Sequence, residues 1–220
     1  MKNQKEVFKQ IEGDNWHNRN VEYASESHKT DDLLIQLFKT NKIQPKRVLE
    51  IGCSSGYKLN LIHKVFNSEC YGVEPSSKAV SDGSKMFPSI NLQVGTADSL
   101  PFEDNSFDLI IFGFCLCLCD RKDLFKIALE ANRCLQKNGY MVISDFYPHF
   151  PFKNKWAHHE GLFCYKMDYS KMFSWNPEYR EISNTVFTHS GFELRNMPNE
   201  KLAITILSKN EEYAYLNQPY

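Results

Sequence analysis

The run Val48-Leu-Glu-Ile-Gly-Cys-Ser-Ser-Gly56, with Glu74 ending the next apolar stretch, constrains this chain more than any other part of it. Residues 47–52 are a short apolar segment closed by a glycine turn, and residues 57–66 carry apolar side chains at helical spacing. Strand, glycine turn, helix and second strand form a βαβ unit, whose strands must run parallel through a right-handed crossover. In such a unit the loop lies against a ligand, and an acid ending the second strand is placed to accept both hydroxyls of a ribose.

The same alternation continues downstream. Residues 70–74 are the second strand, Pro75 and two serines open a helix reaching about residue 87, and residues 90–94 are the third strand. Residues 107–114 are a fourth, apolar enough to be covered on both faces. Leu124, Ile127, Ala128, Ala131 and Leu135 mark a helix over 122–136, closed by Lys137-Asn-Gly139 before a fifth strand at 140–146. An aromatic, proline-punctuated stretch follows, read as an insertion over the active face at 147–178, and then a helix over 178–190. Residues 192–197 and 202–208, separated by Pro198-Asn-Glu-Lys201, are expected to close the sheet as an antiparallel hairpin. Residues 1–45, with Leu33, Leu34, Leu37 and Phe38, are expected to form an N-terminal helical cap on a single domain spanning 1–220.

Composition narrows the function. The 220 residues are 42% hydrophobic and 24% charged, with a formal net charge of -1, and no Lys/Arg cluster offers the counterion release that nucleic acid demands. Met1 to Gln10 lack an apolar export core, and the longest apolar run, 109–119, is about half of the ~20 residues that span a bilayer. A soluble, cytoplasmic protein with a small-molecule substrate is expected; the oligomeric state stays open. Seven cysteines without an export signal argue for reduced thiols. Cys115, Cys117 and Cys119 would share one face if they continued a strand, but no Cys-x-x-Cys or nearby histidine completes a ligand set, so no metal is expected.

At Gly52, Ser54, Gly56 and Glu74 the chain resembles the class I S-adenosylmethionine-dependent methyltransferases, with Ser54 in place of the usual middle glycine. Gly95-Thr-Ala-Asp98-Ser-Leu-Pro-Phe102 and Asp104-Asn-Ser-Phe-Asp108 are similar to the family's segment after strand three. The resemblance implies a Rossmann-like α/β fold: a seven-stranded, mostly parallel sheet with a terminal antiparallel hairpin and helices on both faces. It further implies S-adenosyl-L-methionine as cofactor, held by Glu50, Gly52, Cys53, Ser54, Gly56, Glu74, Pro75, Ala97, Asp98, Ser99 and Phe114. Asp98 would meet the adenine amino group, and Glu50 the cofactor's ammonium. Residues 12–20, Tyr165-Lys-Met-Asp168-Tyr169-Ser and Trp175-Asn-Pro resemble segments of methyltransferases found with surface-polysaccharide genes, which implies that Trp16 covers the cofactor and Arg19 meets its carboxylate.

A hydroxyl or ammonium acceptor needs a base. His149, His158 and His159 lie in the insertion, and His158, then His159, are the candidates, beside Trp156, Phe163, Tyr165 and Tyr169 that suit a sugar or nucleotide-linked sugar. Three other classes compete. Gly52-Cys-Ser54-Ser-Gly56 formally matches a hydrolase nucleophile elbow, but an oxyanion loop on an earlier strand is missing. A nicotinamide-dependent oxidoreductase would carry Gly-x-Gly-x-x-Gly, which is absent. A non-catalytic cofactor-binding module would differ only on the substrate side.

Overall fold

In the computed structural model the chain runs α1 (Gln4–Val7), a π-helical turn (Phe8–Glu12), α2 (Gly13–Glu26), α3 (His28–Thr40), β1 (Arg47–Ile51), α4 (Tyr57–Phe66), β2 (Glu69–Glu74), α5 (Ser77–Met86) and β3 (Asn91–Val94). It continues through β4 (Phe107–Gly113), α6 (Leu124–Cys134), β5 (Leu135–Phe146), β6 (Phe152–Lys155), β7 (Phe163–Lys166), α7 (Lys171–Ser174), β8 (Tyr179–Thr188) and β9 (Lys201–Lys209). The structure describes residues 3–26, 28–188, 201–212, 214 and 215, with backbone alone for residues 21–26 and 28–32.

The main sheet has the order β3-β2-β1-β4-β5-β9-β8. The first five strands are parallel, as the crossovers demand, while β9 runs antiparallel to both β5 and β8. Alternation along the central strands divides the core into two layers. Leu49, Ile110, Phe112 and Met141 pack with Ile127 and Ala131 of α6 on one face. Val48, Leu109, Ile111 and Val142 pack with Phe38 of α3 and Leu59 and Ile62 of α4 on the other. Among the described residues no helix is long and apolar enough to cross a membrane.

Three expectations change. Residues 179–188 form β8 rather than a helix: Thr185-Val-Phe-Thr188 favour the pleated surface, and β9 needs a partner. The sheet's antiparallel end is therefore β8 with β9, and the strand expected at 192–197 lies outside the described residues. Helix α6 stops at Cys134, because Leu135 is already extended and buried opposite Phe107; Asn138, at φ +61°, then takes the irregular turn before Tyr140. The three cysteines do not continue β4. Phe114, at φ +55°, breaks the strand, and Leu116–Leu118 is a 3-10 turn, so the alternation that a strand would give these cysteines is lost.

The N-terminal segment and the 152–166 hairpin roof the carboxyl edge of the sheet. β6 and β7 form a separate hairpin, with Phe152 opposite Lys166. Gln4 binds it from the N-terminal side, its Oε1 accepting from Phe163 N at 2.7 Å and its Nε2 donating to Phe163 O at 3.1 Å. Asp14 of α2 accepts from the Ser76 hydroxyl and from Lys78 N, and His17 meets Asp82 at 3.1 Å, so the cap is docked on α5.

Candidate active site

The loop after β1 turns through left-handed backbone at three places: Gly52 (φ +76°), Ser54 (φ +49°) and Gly56 (φ +80°). At Gly52 a side chain would lie 2.5 Å from Cys115 Cβ, so glycine is required there on two counts. Ser54 adopts the conformation that a middle glycine would adopt freely, at a cost of about 1–2 kcal/mol for a residue with a Cβ. The loop is fastened to β2, with Gly52 N donating to Val73 O at 2.8 Å.

Three carboxylates stand in different electrostatic settings. Glu74 accepts from Ser54 N and Ser76 N, one on each oxygen and both at 3.0 Å. Burial pushes its carboxyl up to about 7; the two amide donors pull it down, while Glu50 and Asp14 add to the rise. Glu50, in the middle of the sheet, accepts from Lys58 Nζ at 2.7 Å. Gly113 leaves the room for this pair, since a Cβ there would sit 2.7 Å from Glu50 Oε1 and 2.8 Å from Lys58 Nζ. Asp98 is held by Lys5 Nζ at 2.7 Å, with Lys126 at 3.7 Å. Burial raises Asp98, but the Lys5 and Thr96 hydrogen bonds outweigh it and leave the carboxyl below its ordinary value.

These groups share one cavity of about 470 Å³ along the carboxyl edge of the sheet, a volume suited to a nucleotide-sized ligand. Glu50, Gly52, Cys53, Ser54, Glu74 and Pro75 form its floor, Ala97 and Asp98 one end, and Phe114 and Trp16 further wall. Residues 49–143, the segment that builds this floor, match the family model of the methyltransferase domain. This segment is a methyltransferase domain.

Relatives agree over the same part of the chain. An uncharacterized methyltransferase of Bacillus subtilis is 32% identical over 119 residues, 51% of this chain and 46% of that protein. The demethylmenaquinone methyltransferase of Thermotoga maritima is 32% identical over 110 residues, 49% of this chain and 46% of its own length. The chain thus spans about half the length of these curated relatives. The fold is shared with the 1,6-didemethyltoxoflavin-N1-methyltransferase of Burkholderia thailandensis, solved with S-adenosylhomocysteine bound, at a TM-score of 0.63 and 12% identity over 87% of each chain.

S-adenosylmethionine is the cofactor of such a domain, and the residues present fit it. Ser54 Oγ is buried without a hydrogen-bond partner among the described residues and lines the cavity beside Glu74, whose carboxylate is already oriented by two amides. The same unpartnered hydroxyl speaks against a hydrolase elbow, because among the described residues no histidine stands within hydrogen-bonding distance of it. Among the described residues no three His, Cys, Asp or Glu side chains converge to hold a metal ion.

Other residues expected at the site fall elsewhere. Gly56 starts α4, and Ser99 closes a turn with its N–H on Thr96 O. Arg19 donates to Glu12 at 2.5 Å and is not in the cavity wall. His158 is exposed, edge-on to Trp156 with ring centroids 5.7 Å apart, and His159 Nδ1 lies 2.9 Å from Glu160 O; neither lines the cavity. The hairpin instead contributes Trp156, whose Nε1 donates to the fully buried Glu12 at 2.7 Å.

Sequence reasoning passed over Lys5, Lys58, Glu12 and Asp145. Lys58 carried a signal: it is the second residue of α4, where a cation opposes the helix dipole and so calls for a compensating acid. Asp145 sits outside the cavity and accepts from Phe146 N at 2.7 Å and Cys117 N at 3.3 Å, which holds the turn behind Phe114. Burial pushes its carboxyl up to about 7.

Proposed function

We propose that the chain transfers the sulfonium methyl group of S-adenosylmethionine to a small, largely apolar acceptor that carries one nucleophilic group. The observation that carries this reading is the continuity of the cavity from the Glu74 clamp, across the glycine loop, to a wall of Phe114, Phe146, Trp156, Phe187 and Leu202 with Ser144 among them. The cofactor supplies an activated methyl carbon open to in-line displacement. The protein's part is alignment and exclusion of water: the amide-held Glu74 would hold the ribose, and the aromatic wall would shield the acceptor from solvent. Demethylmenaquinone and fatty acids, the acceptors named for two relatives, are of this apolar kind.

A hydroxyl of a sugar or nucleotide-linked sugar is the second reading, favoured by the Trp156 indole on the cavity wall, a surface on which a pyranose face stacks. Incubating the full chain with methyl-labelled cofactor and two acceptor pools, one of quinols, phenols and fatty acids and the other of nucleotide sugars, separates the two. Label entering the apolar pool supports the first, label entering sugars the second, and none in either from a cofactor-binding protein points to a non-catalytic module.

A further inference from the structure

Cys53, Cys115, Cys117, Cys119 and Cys164 all line the cavity. Two of them come from different layers of the molecule: Cys117 lies in the 116–118 turn after β4, and Cys164 lies in β7 of the roofing hairpin, which packs on that turn. Their side chains meet in a hydrogen bond inside one apolar cluster, Cys117 being 3% and Cys164 6% exposed. A buried cysteine that serves only as a small hydrophobe has no need of charge around it. This pair is ringed by charge. Asp145 accepts from Cys117 N at 3.3 Å, and its carboxylate is within hydrogen-bonding reach of the Cys117 thiol. Lys166, buried, follows Cys164 on the same face of β7. Arg121 Nη2 donates at 2.6 Å to the carbonyls of Leu116 and Cys119, which bracket Cys117.

From this juxtaposition we infer that Cys117 and Cys164 are a reversible dithiol site, oxidised by a hydroperoxide that enters through the cavity, whose disulfide clamps the hairpin onto the sheet edge. The site itself does not depend on which acceptor is methylated. The two thiols are unequal. The hydrogen bond from Cys117 holds the Cys164 thiol below its ordinary value, with Lys166 and Arg121 adding to this against burial and Asp145; the same hydrogen bond, with burial, pushes Cys117 up. Cys164 is therefore the attacking sulfur. Its thiolate bonds to one oxygen of hydrogen peroxide, the O–O bond breaks, and the departing hydroxide takes up the proton that the thiol released, leaving a sulfenic acid and one water. The Cys117 sulfur then attacks the Cys164 sulfur, and its proton passes by way of Asp145 to the departing hydroxide, which leaves as a second water. Two thiols lose two electrons and one peroxide becomes two waters; two small thiols reverse the step and leave as their own disulfide. The hairpin forms a sheet apart from the main one, so closing the sulfurs to bonding distance moves it without breaking a main-sheet pairing. Trp156, between β6 and β7, belongs to the cavity wall, so oxidation fixes that wall in place.

The test is peptide mapping of the full chain by mass spectrometry, after hydrogen peroxide in small molar excess and an alkylating quench in denaturant. One disulfide should join the Cys117 and Cys164 peptides and disappear with dithiothreitol. In the oxidised protein the β7 amides should exchange deuterium about tenfold more slowly or slower still, with β1 and β4 unchanged. Cys117→Ser should leave Cys164 as a sulfenic acid trapped by dimedone, whereas Cys164→Ser should leave Cys117 reduced at the same dose. A linkage between other cysteines would overturn the assignment, as would free thiols at both positions under conditions that fully oxidise N-acetylcysteine. The reverse pattern in the two variants would overturn the order of attack, and β7 exchange unchanged by the disulfide would overturn the clamp.

Discussion

In the proposed function Glu74 links the site's electrostatics to its ligand. Its carboxyl is lifted from 4.5 to about 7 by burial, so between those values the folded protein holds a proton that the unfolded chain has released. The stability contributed by that proton is present below the window and is lost as pH rises through it. Ribose hydroxyls donate to the ionised form, so binding should release a proton, and affinity for S-adenosylhomocysteine should rise between pH 6 and pH 8. Glu74→Gln should flatten that rise and weaken binding about 10- to 100-fold; a mutant with the unchanged slope would assign the proton elsewhere, for instance to Asp145, whose carboxyl is also raised to about 7. The histidines test the catalytic side. Because neither His158 nor His159 lines the cavity, His158→Ala and His159→Ala should each alter turnover less than about threefold, whereas loss of a general base costs about 100-fold or more. A drop of that larger size would restore the histidine base expected from sequence.

At the scale of elements, the glycine loop and the two-part roof carry the account. Gly52→Ala would force a Cβ against Cys115 in left-handed backbone, and an equilibrium urea titration should show a loss of about 2–4 kcal/mol. A loss under 0.5 kcal/mol would mean that the loop adjusts freely. The roof is tied by Trp156 and Glu12; Trp156→Phe removes the donor from a buried carboxylate and should speed deuterium exchange of the amides in β6, β7 and the 8–12 turn, with β1 and β4 unaffected. Uniform exchange across all of these would place the tie elsewhere. Sequence pattern revealed β1 through β5 because their information is local: apolar runs bounded by turn residues, then a helix at 3.6 spacing. It missed β8, since Arg180-Glu-Ile-Ser-Asn184 alternates weakly and the strand is stabilised by a partner more than ten residues away. The acids at Glu50, Glu74 and Asp98 were readable from motif spacing. Of their partners, Lys58 left a trace as a cation at the start of α4, but Lys5 left none, because it belongs to an unpatterned polar terminus and meets Asp98 only through the tertiary fold.

Across the whole molecule, a parallel sheet places its ligand edge at one end, and the chain spends both its first helices and its hairpin covering that edge. The N-terminal cap touches α5 and the segment after β3 through polar contacts, Asp14 with Ser76, His17 with Asp82 and Lys5 with Asp98, while its core packing is left to α3. Such a roof can order around a ligand without disturbing the two apolar layers beneath. The most direct test of the central claim is calorimetry of the full chain with S-adenosylmethionine, with a nicotinamide dinucleotide in parallel. One site of micromolar-range affinity for S-adenosylmethionine and none for the dinucleotide is expected; a folded protein that binds neither, or binds the dinucleotide as well, would contradict the account.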